Sequence, residues 1–134
     1  MSLQILRKLL EQQLATITPA MPTQYENGNF TPKAGVAYQQ VFLMLGNPSN
    51  PEQNGTFFQE RGYLQVNLRF PMNAGPGAVD EWTQKIRDAF PFGLSLSANG
   101  ISVTVVQTPT RSPGQNDGDR YQVPVKIFFI ANNN

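Results

Sequence analysis

The stretch Gly62-Tyr63-Leu64-Gln65-Val66-Asn67-Leu68-Arg69-Phe70 decides the fold. Leu64, Val66, Leu68 and Phe70 alternate strictly with Tyr63, Gln65, Asn67 and Arg69. Successive side chains of a strand point to opposite faces, so 62–70 reads as a half-buried strand with one apolar and one polar face. Pro71 stops it, because proline has no N–H to give to a ladder. Such a strand needs a second layer over its apolar face, and the flanking sequence offers two helices for it.

Upstream, residues 2–17 predict an amphipathic helix. Ser2 can cap the first turn, and Leu3, Leu6, Leu10, Leu14 and Ile17 recur every three or four positions. Thr18-Pro19 ends the helix, since the residue before proline is pushed out of the helical region. A coiled-coil seam is the other reading of the stripe, but a lone helix of this length suits a core face better. Downstream, a helix over about 77–90 carries Val79, Trp82, Ile86 and Phe90 on one stripe. Asp80 and Glu81 stand in its first turn and Lys85 and Arg87 later, as the helix dipole prefers. Pro91 closes it, and the spacing of Trp82 with Val79 and Ile86 marks the indole as core.

Further strands follow from the same period. Residues 36–45 read as a strand, Asn99-Gly100 as a tight turn between short strands, and Ile101, Val103 and Val105 as one strand's buried face. In 121–130, Tyr121, Val123, Val125, Ile127 and Phe129 share a face, and Pro124 predicts an edge position or a bulge. The turn-rich segment 19–32 and the polar stretches 46–55 and 108–120 are loops, with Phe57 and Phe58 directly after one of them. The order α-β-β-β-α-β-β-β predicts a single α+β domain over 1–134. Its sheet is mostly antiparallel or mixed, with two helices packed on one face.

Composition narrows the chemistry. A chain of 134 residues buries roughly two-thirds of its unfolded surface and needs no staples. It contains no Cys and no His, which removes disulfides, thiolate metal sites, the commonest general base and the commonest metal ligand. Ten Lys and Arg balance nine Asp and Glu, leaving +1 and no electrostatic footprint for nucleic acid or an anionic membrane. Abundant Asn and Gln, interleaved with aliphatics, predict a polar but weakly charged surface of the kind that contacts protein. No run approaches the ~18 apolar residues of a membrane span, and Arg7, Lys8 and Glu11 break the pattern of a signal peptide.

Each candidate chemical motif has a plainer reading. Asn116-Asp117-Gly118-Asp119 resembles a calcium loop, but twelfth in the count stands Ile127, not the required Glu. It reads as a turn. Gly75-Pro76-Gly77 before a helix could present N–H groups to a phosphate, yet Pro76 removes one and no Walker Lys follows, so a helix entry is favoured. The acids do not converge in spacing as a hydrolytic pair would, and no S-x-x-K appears. Arg61, Arg69, Arg111 and Arg120, near Tyr63 and Tyr121, could form a nucleic-acid stripe; Glu60, Asp117 and Asp119 argue for ordinary strand-end charge. The reading is non-enzymatic, with no cofactor and no metal.

Taken together, several segments carry a resemblance. These are Tyr-Glu-Asn-Gly-Asn-Phe-Thr-Pro (25–32), Arg-Gly-Tyr-Leu-Gln-Val-Asn-Leu-Arg-Phe-Pro (61–71), Gly-Pro-Gly-Ala (75–78), Ala-Phe-Pro-Phe-Gly (89–93) and Gly-Ile-Ser-Val-Thr-Val (100–105). In this order, behind an amphipathic helix, the chain is similar to bacteriophage tail terminator proteins, related to the lambda-type minor tail protein. The resemblance implies a structural subunit, in virion tails and in host cytoplasm during assembly. It would form a ring, a hexamer, that caps the tail tube, ends polymerisation and offers a surface for head–tail joining. The implied partners are further copies, the tube protein and a head-side connector, with no specific nucleic acid and no membrane. Another neck or connector protein, or a tube subunit, shares the expected topology. A closed ring needs one patch to meet a different patch on the next copy. Edge-strand pairing or the 46–58 arm could supply that contact, with Phe57 and Phe58 as anchors and Arg61 and Arg111 at the rim; alternatively one of the two Phe side chains enters the core.

Overall fold

The alternation around Leu64 continues beyond its sequence limits into a strand from Gln59 to Pro71. The computed structural model describes residues 3–46, 59–73 and 75–133. Its elements are α1 (Leu3–Leu14), β1 (Thr23–Gln24), β2 (Tyr38–Leu45), β3 (Gln59–Pro71), α2 (Gly77–Ala89), β4 (Ser95–Ala98), β5 (Ile101–Val105), β6 (Thr110–Arg111), β7 (Gln115–Asp117) and β8 (Arg120–Asn133). They form one sheet in the order β1-β2-β3-β8-β5-β4, with β6 and β7 also pairing β8. Among the described residues only β1–β2 is parallel, so the expected mixed α+β architecture stands, with β6 and β7 as two short additions within 108–120.

Register assigns every side chain to a face. Val41 opposes Val66, which opposes Val125; Leu68 opposes Val123, Leu64 opposes Ile127, and Val105 opposes Phe129. All of these are buried, and they form one cluster with Leu6, Leu10 and Leu14 of α1 and Val79, Trp82, Ile86 and Phe90 on and after α2. Burial of each such side chain contributes about 1.5–3 kcal/mol, so this face supplies most of the driving force. One amide sits within it: Gln39 accepts from Trp82 Nε1 at 3.2 Å and donates to Thr23 Oγ1 at 3.0 Å. Thr23 Oγ1 in turn donates to the Met21 carbonyl at 2.9 Å. That chain satisfies a buried indole and ties α2 through β2 to β1.

Two local expectations are corrected. The first helix stops at Leu14, and the next residues form tighter turns, with Thr16 N–H bonding Gln13 O and Ile17 N–H bonding Leu14 O; Leu3, expected on the buried stripe, stays exposed. Pro124 is neither on an edge strand nor at a bulge, because β3 pairs with β8 in unbroken register from Arg120 to Asn132. Its carbonyl accepts from Ser112 N–H at 2.9 Å, so its N–H-less nitrogen also faces away from β3. On that side the neighbour changes from β7 to β6, and the missing donor falls in the break between them.

Candidate functional site

Among the described residues, the second face of the sheet has no helix over it. Tyr38, Gln40, Phe42 and Met44 of β2 oppose Arg69, Asn67, Gln65 and Tyr63 of β3, and these oppose Gln122, Pro124, Lys126 and Phe128 of β8. The face thus combines amides, aromatic rings and cations. At one end the chain covers it. Phe30 packs on Tyr38 with ring centroids 5.1 Å apart. The Arg69 and Arg120 guanidinium groups lie over the same ring at 5.8 and 5.0 Å. Arg120 is buried and donates to the carbonyls of Val36 and Lys33, pinning the 30–37 segment down. Arg69 donates to Asp117 at 2.8 Å and also bonds Gln122. Burial works against its charge, but Asp117 and Tyr38 outweigh it and raise its pKa.

At the other end, no described segment covers the face as 30–37 covers the first. Tyr63 and Phe128 pack at 5.3 Å, and Lys126 Nζ sits 4.9 Å from the Tyr63 ring. A groove of about 560 Å³ runs here, lined by Met44, Arg61, Tyr63, Val106, Phe128 and Ile130, among others. Met44 and Leu45 are 44% and 40% exposed, and Val106 is exposed too. Gly62 lets β2 come close, because a Cβ there would stand 2.1 Å from the Met44 carbonyl oxygen.

The sheet's two edges are also unlike. β4 closes one side. On the other, β1 covers β2 only at Gln39 and Gln40, and beyond it Glu26 takes over. The Glu26 carboxylate accepts from Leu43 N–H at 2.6 Å and from Arg7 at 2.8 Å. Although burial pushes the Glu26 carboxyl up, these bonds outweigh it and hold it below its ordinary value. A charged side chain on an edge N–H is one way to discourage a further strand from pairing there. Glu11, the second acid near Arg7, shifts the other way: burial raises it despite Arg7.

The candidate contact residues are dispersed. Arg61 is exposed on the open face and lines the groove. Arg111 opposes Val125, which puts it on the helix side, where its Nε lies 3.2 Å from Asp80 Oδ1. The two rim candidates are therefore not brought together. Phe57 and Phe58 lie outside the described residues. Of the imagined arginine stripe, Arg69 and Arg120 serve the closed end, and Arg111 is on the other side. Asn116–Asp119 forms the end of β7 and a turn with Gly118 at φ 63°, its Asp117 paired with Arg69. Among the described residues no group of three or more acids could hold a metal, and no helix is long and apolar enough to cross a membrane. Two features escaped sequence reading: the Glu26 contact with β2, and Phe92, which is 72% exposed after α2.

Comparison with known proteins adds family and fold. No curated protein matches the chain. One solved structure superposes with a TM-score of 0.81 at 24% identity, covering 98% of this chain and 96% of the other. That likeness concerns the fold alone. A family model described as phage tail terminator protein matches residues 5–129, and the chain belongs to that family. It is accordingly a structural protein of the phage tail.

Proposed function

From membership of the phage tail terminator family, we propose that the chain closes as a ring, a hexamer, on the end of the tail tube. There it ends tube polymerisation and presents a surface for the head-side connector, having assembled in the host cytoplasm. The observation that carries this reading is the family match across nearly the whole chain. The geometry supports it: the sheet has two unlike edges and two unlike faces, and a ring requires unlike patches to meet. Arg69, Arg120, Gln39 and Glu26 each bond the protein's own backbone or side chains.

The test is particle mass by light scattering across concentration, with negative-stain imaging, alone and with purified tail tubes. Closed rings, free or seated on tube ends, are expected. Open-ended cylinders would indicate a tube subunit instead, and a monomer that also ignores tubes would overturn the terminator reading.

A further inference from the structure

We propose that the ring contact is made by α2 and the turn after it in one copy against the open sheet end of the next, with Phe92 entering the groove. The proposal rests on the ring reading and names its interface. Phe92 is the most exposed large apolar side chain among the described residues. Its turn is held firmly: Leu94 N–H bonds the Pro91 carbonyl at 3.0 Å, and Gly93 N–H bonds the Val105 carbonyl at 2.8 Å. A fixed aromatic knob of this kind is what an interface core needs. The groove lined by Met44, Tyr63, Phe128 and Ile130 is apolar and large enough to accept a phenyl ring.

Charge selects a second copy as the occupant. On α2, Glu81, Gln84 and Asp88 are exposed and lie at i, i+3 and i+7, one stripe leading toward Phe92. The basic residues of that helix are turned to their own chain, Lys85 to the Thr18 carbonyl and Arg87 to the Pro109 carbonyl, while Asp80 is met by Arg111. The stripe is thus left acidic. Beside the groove stand Arg61 and Lys126, neither of which has a carboxylate partner among the described residues. Two acids face outward on one side of the molecule and two cations on the other. The stripe lies on the helix-covered side of the sheet, whereas Tyr63, Lys126 and Phe128 beside the groove belong to the other face. The contact runs head to tail between copies, and charge fixes its polarity.

The experiment follows assembly of the full chain by light scattering and negative stain, with and without purified tail tubes. Circular dichroism checks that each variant is folded. Phe92→Ala is expected to raise the concentration needed for assembly by at least about 10-fold. Glu81→Lys with Asp88→Lys, and separately Arg61→Glu with Lys126→Glu, should each abolish rings, and the four changes combined should restore them. Wild-type rings together with unchanged assembly of all variants would overturn this interface and leave the ring reading standing. Assembly that stops at a dimer, yet is broken by Phe92→Ala, would keep the contact and overturn the ring. Failure of the wild type to associate at all, even on tubes, would overturn both.

Discussion

The two ends of the helix-free sheet face are built from the same kinds of residue and reach opposite outcomes. At one end Tyr38 lies under Arg69 and Arg120; at the other Tyr63 lies under Lys126, with Arg61 nearby. Around Tyr38 every cation is also hydrogen-bonded, to Asp117, Gln122 or the carbonyls of the 30–37 segment, and the ring is buried. Around Tyr63 neither Lys126 nor Arg61 has a carboxylate partner among the described residues, and the apolar rim is exposed. An aromatic–cation cluster is therefore structural or available according to whether backbone acceptors reach it. The first stabilises the fold, and the second is left to stabilise an assembly.

The largest test of this contrast is a pair of truncations. Tyr38→Ala should cost about 3–5 kcal/mol in urea unfolding, in the range of buried aromatic-to-alanine changes. Tyr63→Ala should cost less than half of that, and equal losses would erase the distinction. Next, Arg120→Met leaves the Val36 and Lys33 carbonyls without their donor and should cost about 2–3 kcal/mol. Arg61→Met should stay within about 0.5 kcal/mol. Gly62→Ala sharpens the comparison from the other side, since it strikes the open end in its backbone. The added Cβ would collide with the Met44 carbonyl, and a loss of about 1–3 kcal/mol with a widened β2–β3 pair is expected. Thermal unfolding together with amide exchange at Gly46 would measure it.

The smallest effect is in pH. The folded protein holds the Glu26 carboxyl below its usual range, so its contribution is complete above the unfolded pKa, near 4.5, and is lost as pH falls through the depressed folded value. Glu11 has a raised pKa, so the fold favours its protonated form. Its contribution is full below the unfolded value and is lost as pH rises through the folded one. The two partly cancel in global stability. They separate in amide exchange at Leu43, which should accelerate on acidification relative to intrinsic exchange, and at neutral pH in Glu26→Ala, while Glu11→Gln leaves it unchanged.

The helix-covered face was readable because its signal is local. Leu64 through Phe70 repeat every second residue, α2 repeats every third or fourth, and Asn99 and Gly100 have the positive φ values that their tight turn needs. The closed end was not readable, because Arg120 meets carbonyls 84 and 87 positions away, and no spacing rule spans that distance. Pro124 misled for a related reason. Its tolerance depends on a break between β6 and β7, which is a property of the neighbouring strands. Phe92 was hidden by context, since Pro91 and Gly93 on either side read simply as the end of a helix. Arg61 and Arg111, similar in sequence as strand-end cations, are divided by strand parity onto opposite faces.

Among the described elements, the last in sequence lies in the middle of the sheet. β8 pairs β3 along its length on one side and β7, β6 and β5 in turn on the other. The β2–β3 pair can form early, but its inner edge stays unsatisfied until residues 120–133 arrive. Synthesis proceeds from the N-terminus, so closure of the sheet must wait until residues 120–133 have been made. Contacts of such long sequence separation also form slowly. A nascent chain stalled before residue 120 should expose β3 to chaperones and proteases, and emergence of residues 120–133 should protect the whole sheet in one step. The protein's readiness to assemble is in this way timed by the arrival of β8.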